Sequence, residues 1–163
     1  MNEDEKFMGE ALKEACKAAE CGEVPVGAVI ISGGKIMARG HNQPIQKNDP
    51  TAHAEIVALR KACAKQKNYR LASAVMYVTI EPCAMCLGAI VQARIKRLVF
   101  GALDPKAGAV LSVMTFPLER MNHRMEIQGG VRAEECGRVL KDFFKAKRAG
   151  VKLPSRPKSR LMG

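Results

Sequence analysis

Apolar residues between positions 3 and 21 fall in pairs about one turn apart, at Phe7/Met8, Ala11/Leu12 and Ala15/Cys16, and Gly22 follows as a stop. This spacing predicts an amphipathic first helix. The β-branched run 26–32, the Gly33-Gly34 pair and the extended pattern of 35–39 predict a hairpin. Residues 40–50 read as a loop leading to Thr51, which is expected to cap a helix over 52–65 in which Ile56, Leu59 and Ala62/Cys63 recur at helical spacing. A strand over 74–80 ends at Glu81-Pro82, and 83–93 (CAMCLGAIVQA) reads as a second, mostly buried helix. Pro82 stands just before it, where a missing N–H costs nothing. Residues 97–102 form another apolar strand, 125–128 a short one closed by Gly129-Gly130, and 133–148 a last helix carrying Cys136, Val139, Leu140 and Phe143/Phe144 on its apolar side. Strands separated by helical crossovers imply an α/β sandwich with a mixed sheet.

The chain has 163 residues, 47% of them hydrophobic, which suits one compact domain. We expect that domain over residues 1–149, followed by a basic tail over 150–163. No run reaches the ~18 apolar residues of a membrane span, and the acidic start (Glu3, Asp4, Glu5) is unlike a secretory signal, so a cytoplasmic protein without a membrane partner is expected. Lys and Arg number 27 against 16 Asp and Glu, a formal +11 that favours polyanionic partners. The excess is uneven. Seven cations and no acid lie in residues 145–163, so that 20 cations against 16 acids leave +4 for residues 1–144. Seven Phe and Tyr and no Trp leave few platforms for stacking bases.

Chemistry concentrates in His53-Ala54-Glu55 and Pro82-Cys83-Ala84-Met85-Cys86. Two cysteines at i and i+3 share a helix face, and a helix N-terminus favours their thiolate forms. With His53 they make an N1S2 set suited to Zn²⁺, and three protein ligands leave a fourth position for water or substrate, the mark of a catalytic zinc. Two thiolates offset the metal's charge, so a nearby base becomes useful, and Glu55 is the candidate. Residues two apart on a helix differ by ~200° in direction, so Glu55 reaches a shared site with His53 only if the first turn is irregular. Two other readings compete: a thioredoxin-like redox pair, which leaves His53 and Glu55 without a role, and a structural zinc with Cys63 or Cys136 as fourth ligand. The cysteines outside the cluster are expected in the core.

At these residues the sequence resembles the zinc-dependent nucleobase deaminases, whose signature is H-x-E followed by P-C-x-x-C. The likeness extends to V-P-V-G-A (24–28), H-N-x-P-I (41–45), D-P-T-A-H-A-E (49–55), N-Y-R-L (68–71), Y-V-T-x-E-P-C (77–83), D-x-K-x-G-A (104–109) and M-N-H-R (121–124), and is similar to the bacterial tRNA-specific adenosine deaminases over about residues 5–148. The resemblance implies a three-layer α/β/α cytidine-deaminase-like fold around a mixed five-stranded sheet, with one Zn²⁺ per subunit on His53, Cys83 and Cys86. It implies hydrolysis of adenosine to inosine at the wobble position of an anticodon, with Glu55 carrying protons to N1 and to the departing ammonia. By position, Asn42, Ala54 and Ala84 fall at the flipped base, and Asp104, Lys106, Asn122, His123, Arg124, Phe144 and Arg148 touch or frame the RNA; Phe143 and Phe144 could also be core. At Ala107 the sequence departs from the family's T-G-A run. The expected partners are a tRNA anticodon stem-loop and a second copy of the chain meeting near 83–93, with no DNA. The same H-x-E and P-C-x-x-C frame serves deaminases of free cytidine or guanine, and a zinc-containing RNA-binding protein without catalysis is the non-enzymatic alternative.

Overall fold

A computed structural model describes residues 1–152. Beyond residue 152, the expected basic tail lies outside the described residues. Five strands, β1 (Gly27–Ser32), β2 (Lys35–His41), β3 (Val75–Ile80), β4 (Arg97–Ala102) and β5 (Glu126–Gln128), form one sheet in the order β2-β1-β3-β4-β5. β1 pairs antiparallel with β2 and β3, whereas β3, β4 and β5 run parallel. The sheet is therefore mixed, as expected from a hairpin followed by helical crossovers.

The central strands are buried on both faces, and their alternating side chains separate two cores. Ala28, Ile30, Met76, Val78, Leu98 and Phe100 face α3 (Ala54–Gln66) and α4 (Ala84–Gln92). Val29, Ile31, Tyr77 and Val99 instead meet Phe7, Met8, Ala11 and Leu12 of α1 (Glu3–Glu20) and Cys136 of α5 (Ala133–Arg148). This is a three-layer α/β/α arrangement, and double burial explains why β1, β3 and β4 read as nearly unbroken apolar runs. Asn2 and Glu5 close a capping box at the start of α1.

Close approach of α3 to the sheet depends on Gly40 of β2, where a Cβ would meet the Ala54 carbonyl at 2.4 Å and the Ala58 nitrogen at 2.7 Å. The crossover from β3 through α4 to β4 then places the start of α4 at the C-terminal end of β3. The starts of α3 and α4 meet there, at the strand ends where open α/β sheets bind their ligands.

Four sequence expectations need correction. The helix expected from residue 52 begins at Ala54, because Thr51 is turned back onto Asp49, whose Oδ1 accepts from both its N–H and its hydroxyl at 2.9 and 2.7 Å. The loop 40–50 contains a short helix, α2 (Pro44–Lys47), whose backbone N–H groups at Ile45 and Gln46 donate to the buried carboxylate of Glu23. The hairpin's second strand runs on to His41. Of the cysteines outside the cluster only Cys136 is in the core, where burial pushes its thiol up to about 11. Cys16 lies one turn beyond Leu12, at the rim of the apolar face of α1, and is exposed, while Cys21 and Cys63 are half-buried.

Candidate active site

His53 and Cys83 are the N-cap residues of α3 and α4, and Cys86 lies one turn into α4. Each helix thus directs its unpaired N–H groups and positive end towards the same point. His53 Nδ1 lies 3.7 Å from Cys83 Sγ and 3.5 Å from Cys86 Sγ. A tetrahedral zinc, with N at ~2.05 Å and S at ~2.3 Å, sets such ligand atoms about 3.6 Å apart. The three side chains therefore fit zinc, and among the described residues they form the one cluster of metal-ligand type. Cys63 and Cys136 stand apart from it: the Cys63 thiol lies 3.7 Å from the Tyr69 carbonyl, and Cys136 packs beneath Gly101 on the opposite side of the sheet. Among the described residues no fourth protein ligand closes the site, which argues against a structural zinc.

The N-cap also explains how His53 and Glu55 converge. His53 has extended backbone (φ −69°, ψ 155°), so the ~200° helical relation between residues two apart does not apply across it. Asn42 Oδ1 caps the helix in its place, accepting the Ala54 N–H at 2.8 Å. Glu55 then sits in the first turn of α3, only 3% exposed, and burial pushes its carboxyl above the usual range. The Cys86 thiol, and then His53, hold Cys83 down to about 4, whereas Cys83 beside it and burial push Cys86 up. The hydrogen bond to Cys83 raises His53. His53, Cys83 and Cys86 would hold a dication with both cysteines as thiolates, the form the two helix N-termini favour.

Residues 1–148 match the family model for MafB19-like deaminases. The chain belongs to that family. Among its relatives, the tRNA-specific adenosine deaminase of Haemophilus influenzae is 50% identical over 152 residues, 92% of this chain and 88% of that protein. The enzyme of the same name from Bacillus subtilis is 47% identical over 89% of this chain and 91% of its own length. A solved structure from work on A-to-I editing by tRNA:A34 deaminases at the wobble position of transfer RNA superposes with a TM-score of 0.79 at 46% identity, covering 83% of this chain and 99% of that one. The guanine deaminase structure from Bacillus subtilis gives 0.59 at 46% identity, over 63% and 66%.

In this deaminase the other expected residues fall into groups. Ala54 is fully buried behind His53, and Ala84 is exposed at the start of α4. Asp104 and Lys106 share a turn in which Asp104 Oδ1 accepts the N–H groups of Lys106 and Ala107 at 3.0 and 3.3 Å. Lys106 Nζ stands 5.9 Å from the ring centre of Phe144, so that turn and α5 adjoin. Phe143 is core, and Phe144 and Arg148 are exposed. The His123 ring lies 2.6 Å from the Ile95 carbonyl, while Asn122 and Arg124 are exposed. His123 and Arg124 line an open hollow of about 480 Å³ with Leu118, Glu119, Met125 and Glu126.

The Y-V-T-x-E-P-C motif contains a further acid, Glu81. Glu81, 1% exposed, accepts the N–H groups of Asp104, Val110, Leu111 and Ser112 at 3.1, 3.0, 2.7 and 3.1 Å, and also the Ser112 hydroxyl. Burial opposes its charge, but the bonds from Leu111, Ser112 and Asp104 hold its carboxyl below the usual range. The available sequence signal is an acid closing an apolar strand, immediately before Pro-Cys.

Proposed function

We infer that this deaminase converts adenosine to inosine at the wobble position of a tRNA anticodon, by hydrolysis that releases ammonia. The supporting observation is the tetrahedral spacing of His53, Cys83 and Cys86 with buried Glu55 beside them, in a chain whose relatives over nearly its full length are named tRNA-specific adenosine deaminases. When bound there, zinc supplies the Lewis acidity that makes water a competent nucleophile at neutral pH.

The protein's own residues divide the remaining work. Glu55 takes a proton from the attacking water and delivers it to N1 of the adenine, then takes the C6 hydroxyl proton and hands it to the leaving amine as the C6–N bond breaks and the C6 carbonyl forms, a shuttle worth roughly 10²–10⁴ in rate. Its raised pKa suits a group that must hold a proton in one step and release it in the next. Asn42 holds the start of α3 through Oδ1, which leaves its amide NH₂ to donate to the flipped nucleotide. Ala84, a small exposed side chain beside Cys83, leaves room for a purine, and Ala54, its side chain in the core, keeps the start of α3 in place below it. An anticodon loop offers its base already single-stranded, so the cost of unstacking is low.

Outside the pocket, Asp104, Lys106, Asn122, His123, Arg124, Phe144 and Arg148 contact the RNA, and the basic residues of 150–163 add sequence-independent attraction to phosphate. The enzyme acts in the cytoplasm as a homodimer, and Met85 of α4, with Leu111, Val113 and Met114, supplies exposed apolar surface for the second copy. Among the described residues no helix is long and apolar enough to cross a membrane.

Zinc-loaded protein incubated with an anticodon stem-loop bearing adenosine at the wobble position should yield inosine by sequencing. Absence of conversion at stoichiometric enzyme sinks the assignment. Salt-indifferent deamination of free guanine or cytidine points instead to the free-base enzymes that share the frame.

A further inference from the structure

The segment 103–112 lies against the metal-ligand strand end with a small apolar anchor, buried Ala109 and half-buried Val110. Leu103 and Leu111 of the segment are exposed, Leu111 by 68%, as are Val113 and Met114 just after it, so little apolar area holds it down. Hydrogen bonds to two consecutive residues supply the rest of its attachment. The Ala109 N–H donates to the Pro82 carbonyl at 2.9 Å, and four further N–H groups and one hydroxyl converge on Glu81. Three of those donors, at 110, 111 and 112, are successive and close on one oxygen, a backbone nest built for an anion. No ion pair engages Glu81 among the described residues. The fit is close: a Cβ at Gly108 would meet all three atoms of the carboxylate group at 2.3–2.5 Å.

We propose that Glu81 is a positioning residue for the nucleic-acid substrate: its buried carboxylate clamps the loop carrying Asp104 and Lys106 to the strand end that carries Cys83. Substrate contacts and metal ligands are thereby fixed to one rigid point, two residues from Cys83. The inference rests on the proposed function for its substrate, and on the hydrogen bonds alone for the clamp. In Glu81→Gln an amide NH₂ replaces one acceptor and faces donors in either orientation, so part of the nest goes unsatisfied. The loop is then released for part of the time, and apparent affinity falls in proportion to the fraction in place.

The test compares wild type, Ser112→Ala and Glu81→Gln as zinc-loaded full-length proteins. The expected result is one zinc per chain in all three and a stem-loop KM raised about twofold in Ser112→Ala and about tenfold in Glu81→Gln, with kcat changed less than about threefold. Tryptic cleavage after Lys106 under native conditions should accelerate in the same order. Loss of zinc, an unchanged KM, or a fall in kcat alone in Glu81→Gln overturns the proposal, because each places Glu81 in metal binding or general stability instead. If wild-type protein fails to deaminate the stem-loop, the functional assignment fails, and the cleavage series still decides the clamp: unaccelerated cleavage overturns it.

Discussion

Glu55 and Glu81 are both almost fully buried, both lie within two residues of a metal-ligating side chain, and yet their surroundings treat charge in opposite ways. Around Glu81 the backbone folds so that four N–H groups and a hydroxyl point at the carboxylate, and the charge is held. Around Glu55 no such nest exists, and burial favours the neutral acid. Two things differ: Glu55 lies deeper among protein atoms, where loss of hydration weighs most, and Glu81 has the larger supply of donors. A carboxylate saturated with donors is a fixed anchor, whereas one short of donors can exchange a proton. One site thus holds a structural anion and a chemical acid–base side by side.

The strongest attempt to break this contrast is Glu55→Gln. It should lower kcat for the stem-loop by roughly 10²–10⁴ while keeping one zinc per chain, because the amide fills the space and cannot carry the proton. Metal analysis and steady-state rates on the same sample check it. Loss of zinc makes Glu55 part of the metal's support and removes its distinction from Glu81.

A second measurement sharpens the contrast through pH. Glu81 has a folded pKa below 4.5, so its stabilisation is present above the unfolded value and is lost as pH falls. Glu55 has a folded pKa above 4.5, so its contribution is greatest below the unfolded value and is lost as pH rises through the folded one. In metal-depleted protein, urea unfolding between about pH 4 and 7 should show the stability deficit of Glu81→Gln growing with pH towards ~1–3 kcal/mol, the cost of leaving buried donors unmatched. Glu55→Gln should gain on wild type over the same range. Parallel curves for the two variants contradict the opposite settings.

The two carboxylates were also unequally legible in the sequence. His53, Cys83, Cys86 and Glu55 stood out because their spacing is local and their residue types are rare together. How Glu55 reaches the site did not, since helical periodicity sets it about 200° from His53, and only the extended N-cap backbone removes the conflict. Glu81 has no readable role because its donors come from 23 to 31 residues downstream, in a loop whose leucines, Leu103 and Leu111, are exposed. The layers and sheet were readable from period-two and helical patterns, whereas α2 is only four residues long and gives periodicity nothing to register. Cys16 was misread because it sits at the rim of an apolar stripe, where one step along the helix decides burial.

Asn42→Ala should have a smaller effect on stability, and it tests whether the start of α3 is held from outside the helix. The Oδ1 bond to the Ala54 N–H replaces a cap that His53 cannot provide while its ring faces the thiols. Its loss should cost about 1 kcal/mol by denaturant unfolding. Zinc affinity should fall with it, since His53 is the residue immediately before the released N–H. Unchanged stability shows that β2 alone fixes the helix start.

Lys106→Ala should have the smallest effect and separates anchoring from contact. Lys106 is exposed, and its backbone N–H, rather than its side chain, holds the turn through Asp104. Truncating the side chain therefore leaves the clamp on Glu81 intact and removes one cation from the face that adjoins Phe144. The KM for the stem-loop at low salt should rise about twofold, and the slope of log affinity against log salt should become shallower by about 0.7, the value for one contact with single-stranded phosphate. Chymotryptic cleavage after Leu103 and Leu111 should be unchanged, in contrast to Glu81→Gln. A larger KM effect with an unchanged salt slope assigns Lys106 to holding the loop against α5, and the loop then has a second anchor independent of the buried carboxylate.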